Sequence, residues 1–188
     1  MKEELENIIS ELKKNGYTIK SGLSEKDINE VEKFYDISFN IDHKEFLKIG
    51  LVIGDNFYNW VDFSPENCNK IREMLNWPLE GLLFDIEHNN FWYEEIEINS
   101  NLLVEKIDSF KSWYNKNVPK LIPIYSHRYM CSEPKKSGVP VYSVYQTDII
   151  YYGMNIVDYL IAEFKLKITS NINLKCNDGT FFWSKIVD

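Results

Sequence analysis

Apolar residues recur in the first segment at Leu5, Ile8, Ile9 and Leu12. This is the i, i+3, i+4, i+7 spacing that lines one side of a helix, and it predicts an amphipathic helix ended by Gly16. Tyr17-Thr18-Ile19 reads as extended chain or loop. Ser24, with Asp27 three residues on, makes an N-cap, and Ile28, Val31 and Phe34/Tyr35 supply the buried stripe of a second helix. Asp42 is expected to cap a short third helix through Phe46 and Leu47, closed near Gly50. Ser64-Pro65 places a cap before a proline at the first helical position; Cys68, Ile71 and Leu75 then share a core-facing side, and Trp77-Pro78 reads as the stop.

The period changes from Gly81 to Tyr93. Leu82, Phe84 and Ile86 alternate with Leu83, Asp85 and Glu87, which predicts a strand turned at His88-Asn89-Asn90, with Phe91-Trp92-Tyr93 beginning the return. A fifth helix is expected from about 100 to 116 on Leu103, Ile107, Phe110 and Tyr114. Leu121 to Tyr125 reads as a strand whose Pro123 suits an edge or bulge, because proline cannot donate to a ladder. A loop is expected from Tyr129 to Val139, then paired strands over 141–146 and 149–152. Asn155 caps a helix carrying Val157, Leu160, Ile161 and Phe164, and 166–188 reads as further strands around an Asn177-Asp178-Gly179 turn. Early helices, central strands and a late helix point to an α+β fold: one domain with a mostly antiparallel sheet and helices packed against it.

A chain of 188 residues with 44% hydrophobic content can bury a sufficient core without disulfides or a structural metal. The charged start, Met1-Lys2-Glu3-Glu4, leads into no apolar run and reads as no secretory leader. Cys68, Cys131 and Cys176 form an odd, widely spaced set, which suits free thiols in a cytoplasmic protein. The net charge of −8 argues against nucleic acid, whose affinity comes from Lys and Arg at phosphates, and against anionic membranes. It leaves two readings open, solubility alone or attraction of a basic partner.

Catalytic or metal chemistry would have to use His43, His88 or His127. His43 is expected as a solvated first-turn residue. Strand alternation would put Asp85 and Glu87 on one face and His88 away from them. His127 and Cys131 would face each other only on a helix, and their surroundings read as a loop, with no second cysteine or histidine pair to complete a zinc site. No phosphate loop and no serine elbow appears. No cofactor, no metal and no catalysis are expected.

Between Pro78 and Ser100 lie Glu80, Asp85, Glu87, Glu94, Glu95 and Glu97 with no Lys or Arg among them, interleaved with Phe91, Trp92 and Tyr93. Aromatic anchors in a charged rim are what protein interfaces favour; the alternative placement has the aromatics in the core beneath solvated carboxylates. The candidate contacts are Glu87, His88, Asn89, Trp92, Glu94, Glu95, Glu97, His127, Arg128 and Asp148, polar and aromatic groups in loops bounding a sheet. Core packing for Trp92, and an ion pair or turn cap for Arg128 and Asp148, are the competing roles.

Three stretches resemble the SUKH superfamily, the Smi/Knr-type domain. They are Leu23 to Ile28 with Glu32 and Phe39 to Leu47; Trp77 to Glu87 with Asn89 to Trp92; and Pro119 to Tyr129 followed by Gly138, Pro140, Val141 and Ser143 to Gly153. The last resembles the bacterial toxin-immunity branch. The chain departs at Phe39-Asn40 and His43, where the family carries Leu-Pro and a tyrosine. The likeness spans most of 23–165, leaving an N-terminal helix and a C-terminal extension.

The resemblance implies a non-enzymatic immunity protein that binds and neutralises a cognate protein toxin, often a nuclease. A nuclease's basic cleft would meet the acidic, aromatic-bearing surface. The other reading it leaves is a regulatory adaptor that binds endogenous proteins. A third reading, a hydrolase using His127 and Cys131, requires a reactive thiol.

Overall fold

A computed structural model describes residues 1–97, 102–168 and 182–187. Helix α1 (Lys2–Lys14) buries Leu5, Ile8, Ile9 and Leu12, each contributing roughly 1.5–3 kcal/mol of gross apolar stabilisation. Strand β1 (Thr18–Ser21) pairs antiparallel with β2 (Gly50–Ile53), and the chain between them folds into α2 (Glu25–Tyr35) and α3 (Ile41–Ile49). Ser24 and Asp27 form the expected capping box. Asn40, rather than Asp42, caps α3: its Oδ1 accepts from the Asp42 amide at 3.1 Å. Asp42 lies inside the helix and buried, where its carboxylate accepts from Ser137 Oγ and the Gly138 amide, both at 2.7 Å. That pair ties α3 to the loop before β5.

The largest departure from the sequence pattern is α4 (Pro65–His88), 24 residues that run through Trp77-Pro78 and absorb the strand expected from Gly81. Leu82, Leu83 and Ile86 face the core while Phe84 points out, which is helical rather than alternating spacing. A proline inside a helix removes the bond to the carbonyl four residues back. Here that carbonyl, on Met74, accepts instead from the buried Tyr129 hydroxyl at 2.9 Å. A tertiary bond thus replaces the one the sequence deletes, and the helix continues.

Helix α5 (Leu103–Asn117) leads into a four-stranded antiparallel meander, β3 (Leu121–Tyr125), β4 (Arg128–Cys131), β5 (Val141–Tyr145) and β6 (Asp148–Gly153), in the order β3-β4-β5-β6. Pro123 sits on the outer strand beside a register irregularity, as expected. The loop expected from Tyr129 begins only after β4. Asn155 caps α6 (Ile156–Glu163), accepting from the Val157 and Asp158 amides. A short α7 (Trp183–Ile186) stands where further strand was expected, and the expected turn at 177–179 lies outside the described residues. One apolar cluster joins α1, α5, α6 and the sheet, a second joins α2, α3 and the first half of α4, and Met74 packs against both. The fold is α+β with antiparallel sheets, and its helices outweigh its strands.

Candidate partner-binding surface

Helix α4 lies against the meander, its second half on the β5–β6 hairpin, and four features fix it there. Trp77 Nε1 donates to the Val144 carbonyl at 3.2 Å. Tyr129 holds the Met74 carbonyl. Gly81 lets the hairpin turn sit against the helix: a Cβ there would stand 2.8 Å from Gln146 Cα, closer than side chains approach backbone. Asp85 Oδ2 accepts from the Thr147 amide at 2.8 Å and its hydroxyl at 2.6 Å, while Oδ1 accepts from Asn89 Nδ2 at 2.5 Å. Burial raises the Asp85 pKa, but the Thr147 and Asn89 bonds outweigh it and hold the carboxyl below its usual range.

This docking leaves an aromatic face on the outside. Trp77, Phe84 and Tyr145 are 39%, 44% and 56% exposed. The Trp77 and Tyr145 rings lie 6.1 Å apart, and the Phe84 ring packs at a tilt against His88 at 4.4 Å. Between Trp77 and Phe84 runs a groove of about 190 Å³, lined also by Glu80, Gly81, Tyr145 and Gln146. Beyond Trp77 opens a second cleft of about 390 Å³, bounded by Tyr58, Lys70, Met74 and His127. A third hollow lies at the Thr147 side of the hairpin, edged by Trp92, Glu94 and Glu95.

Several candidate residues belong to this region. Glu87 and His88 are exposed at the end of α4, with the ring nitrogen 3.7 Å from the carboxylate; helical geometry thus keeps His88 beside Glu87, contrary to the strand reading, and parts Glu87 from the buried Asp85. Glu94, Glu95 and Glu97 are exposed in the segment that follows, and Glu95 pairs with Lys185. Asp148 is exposed at the start of β6, opposite Tyr145. His127 is half-buried in the β3–β4 turn with Nδ1 3.1 Å from Ser126 Oγ; burial first, then the adjacent Arg128, lower its pKa.

Others serve the framework. Asn89 holds Asp85. Trp92 is half-buried, its ring 6.3 Å from that of Phe110 and its Nε1 donating to the Ile96 carbonyl at 3.0 Å. Phe91 is likewise half-buried and Tyr93 is in the core. Arg128 donates to Ser143 Oγ at 2.8 Å, lies 3.5 Å from Glu163 and stacks 3.8 Å over the Tyr152 ring. The aromatics of the acidic stretch therefore face largely inward, and Trp77, Phe84 and Tyr145 take their place outside. Trp77 had read as a helix stop and Phe84 as a strand residue. Their two-turn separation on a continuous helix was the available signal, hidden by Pro78.

His43 is 1% exposed, packed edge-on to Phe39 at 4.9 Å, and burial lowers its pKa to about 3. The solvated role expected for it is replaced by a core position. Cys131 is fully buried, and burial pushes its thiol up to about 12. Four residues of extended chain, about 13 Å, separate it from His127, so the two do not form a thiol–imidazole pair. Among the described residues no group of three or more His, Cys, Asp or Glu side chains could hold a metal, and no helix is long and apolar enough to cross a membrane. Comparison with family models, curated proteins and solved structures yields no match.

Proposed function

We propose that this chain is an immunity protein of the SUKH type that works in the cytoplasm by binding and neutralising a cognate protein toxin with a basic surface. The observation that carries the reading is the exposed aromatic face of Trp77, Phe84 and Tyr145, with Glu80 in the same groove and Glu87, Glu94 and Glu97 solvated in the chain that follows. Large aromatics on a folded surface supply contact area at low entropic cost, and a rim of one sign of charge steers an oppositely charged partner and fixes its register. The resemblance of the 119–153 stretch to the toxin-immunity branch favours a toxin as that partner. Binding alone would suffice for neutralisation, either by occupying a basic substrate cleft or by covering its approach.

The reading is tested by reversing charge at Glu94, Glu95 and Glu97 together to Lys. Toxin affinity should fall by tenfold or more, mostly through slower association, and wild-type affinity should weaken with added salt. Unchanged affinity in the triple variant would mean that this surface is the wrong one. A strain lacking the gene should grow normally unless the toxin is present; a phenotype without it would favour the adaptor reading.

A further inference from the structure

We infer that the groove between Trp77 and Phe84 is an arginine-anchoring site, which receives one guanidinium-bearing side chain from the basic partner. The inference rests on the partner-binding reading above and narrows it to one contact. Three of its lining residues are aromatic, Trp77, Phe84 and Tyr145, and Gly81 and Gln146, whose backbones are in close contact, line it between them. Trp77 is held before anything binds by its bond to Val144, with the Tyr145 ring 6.1 Å from it, and Phe84 packs against His88 at 4.4 Å. A preorganised pocket loses little side-chain entropy on binding.

The charge around the groove selects the occupant. Glu80 lines it, and among the described residues no Lys or Arg does. The acidic run from Pro78 to Glu97, free of Lys and Arg, continues past Glu87. A cation gains from both features at once, from ring faces that attract positive charge and from a carboxylate within reach. Arginine suits them better than lysine, because its planar, weakly hydrated guanidinium can stack on a ring while still donating to a carboxylate. The chain already uses this combination internally, where Arg128 stacks over Tyr152 at 3.8 Å with Glu163 at 3.5 Å. Arg72 likewise lies 5.1 Å over Phe34.

The test uses the full chain without a partner. Labelled protein is titrated with N-acetyl-arginine amide, N-acetyl-lysine amide and N-acetyl-leucine amide, following the Trp77 indole N–H resonance, assigned with Trp77→Phe. The arginine probe should give a saturable shift in the millimolar range, the lysine probe a weaker one and the leucine probe none. Glu80→Gln and Phe84→Ala should each weaken arginine binding about three- to fivefold, with Glu30→Gln on α2 as the unaffected control. Leucine binding as strongly as arginine, or an arginine shift that leaves Trp77 unmoved, would overturn the inference. Because no toxin is involved, failure here leaves the charge-reversal test standing, and failure there leaves this titration unaffected.

Discussion

One hydroxyl bonds the carbonyl that Pro78 leaves open inside α4, which makes Tyr129→Phe informative. In the wild type the Tyr129 side chain is fully buried and its hydroxyl donates to the Met74 carbonyl at 2.9 Å, the acceptor that Pro78 has left without a helical donor. Removing the hydroxyl loses a bond of about 1 kcal/mol net and leaves a carbonyl under-satisfied at a further cost on the order of 1 kcal/mol. The total should be about 2 kcal/mol. In a Pro78→Ala background residue 78 regains an N–H that reaches Met74 along the helix, so the same change should cost about 1 kcal/mol. The coupling between the two positions is then about 1 kcal/mol, within the range measured for groups sharing one network. Urea denaturation of the four proteins measures it, provided the m-values agree. If Tyr129→Phe costs the same in both backgrounds, to within a few tenths of a kcal/mol, the tyrosine does not compensate for the proline and another cause holds the helix together.

His43 is neutral in the fold, with its pKa lowered from 6.5 to about 3 by burial. The unfolded chain therefore takes up a proton below about pH 6.5 that the folded chain refuses. This costs stability at about 1.4 kcal/mol per pH unit on the way down, or about 2 kcal/mol by pH 5; His43→Gln should remove that part of the pH 7.5-to-5 difference in denaturation, and an unaltered difference would clear His43 of the role. Asp85→Ala strips three donors of their acceptor, should cost about 2–3 kcal/mol, and should speed amide exchange at Thr147; slow exchange in the variant would show the hairpin to be held otherwise. The Asp85 contribution is present above the unfolded carboxyl pKa and fades as pH drops through the lowered folded one. Cys131 should resist alkylation at neutral pH until the protein is denatured, as read by peptide mapping; fast modification of the native protein would revive the thiol-hydrolase reading.

Local signals carried the starts of several helices. The spacing of Leu5, Ile8, Ile9 and Leu12, the Ser24–Asp27 box, the Ser64-Pro65 start and the Asn155 cap are settled within a few residues of chain. What sequence did not disclose is tertiary. Pro78 is a sound stop signal until Tyr129, on a distant strand, satisfies Met74. Leu82, Leu83, Phe84 and Ile86 fit either period over so short a run, and only the helix behind them decides. His43 read as solvated and Asp42 as a helix cap because their partners, Phe39 and Trp60 for one and Ser137 and Gly138 for the other, come together only on folding. The candidate surface divided along the same line. Exposed carboxylates were legible from composition, whereas the aromatic half required knowing which side of α4 the hairpin covers.

The most direct test is calorimetric titration of the chain with the C-terminal domain of any large toxin-like protein encoded beside its gene. The account predicts nanomolar, salt-sensitive binding with loss of toxin activity, weakened by reversal of Glu94, Glu95 and Glu97 and by Trp77→Ala. Absence of binding to that domain, or tight binding indifferent to all four positions, would contradict it.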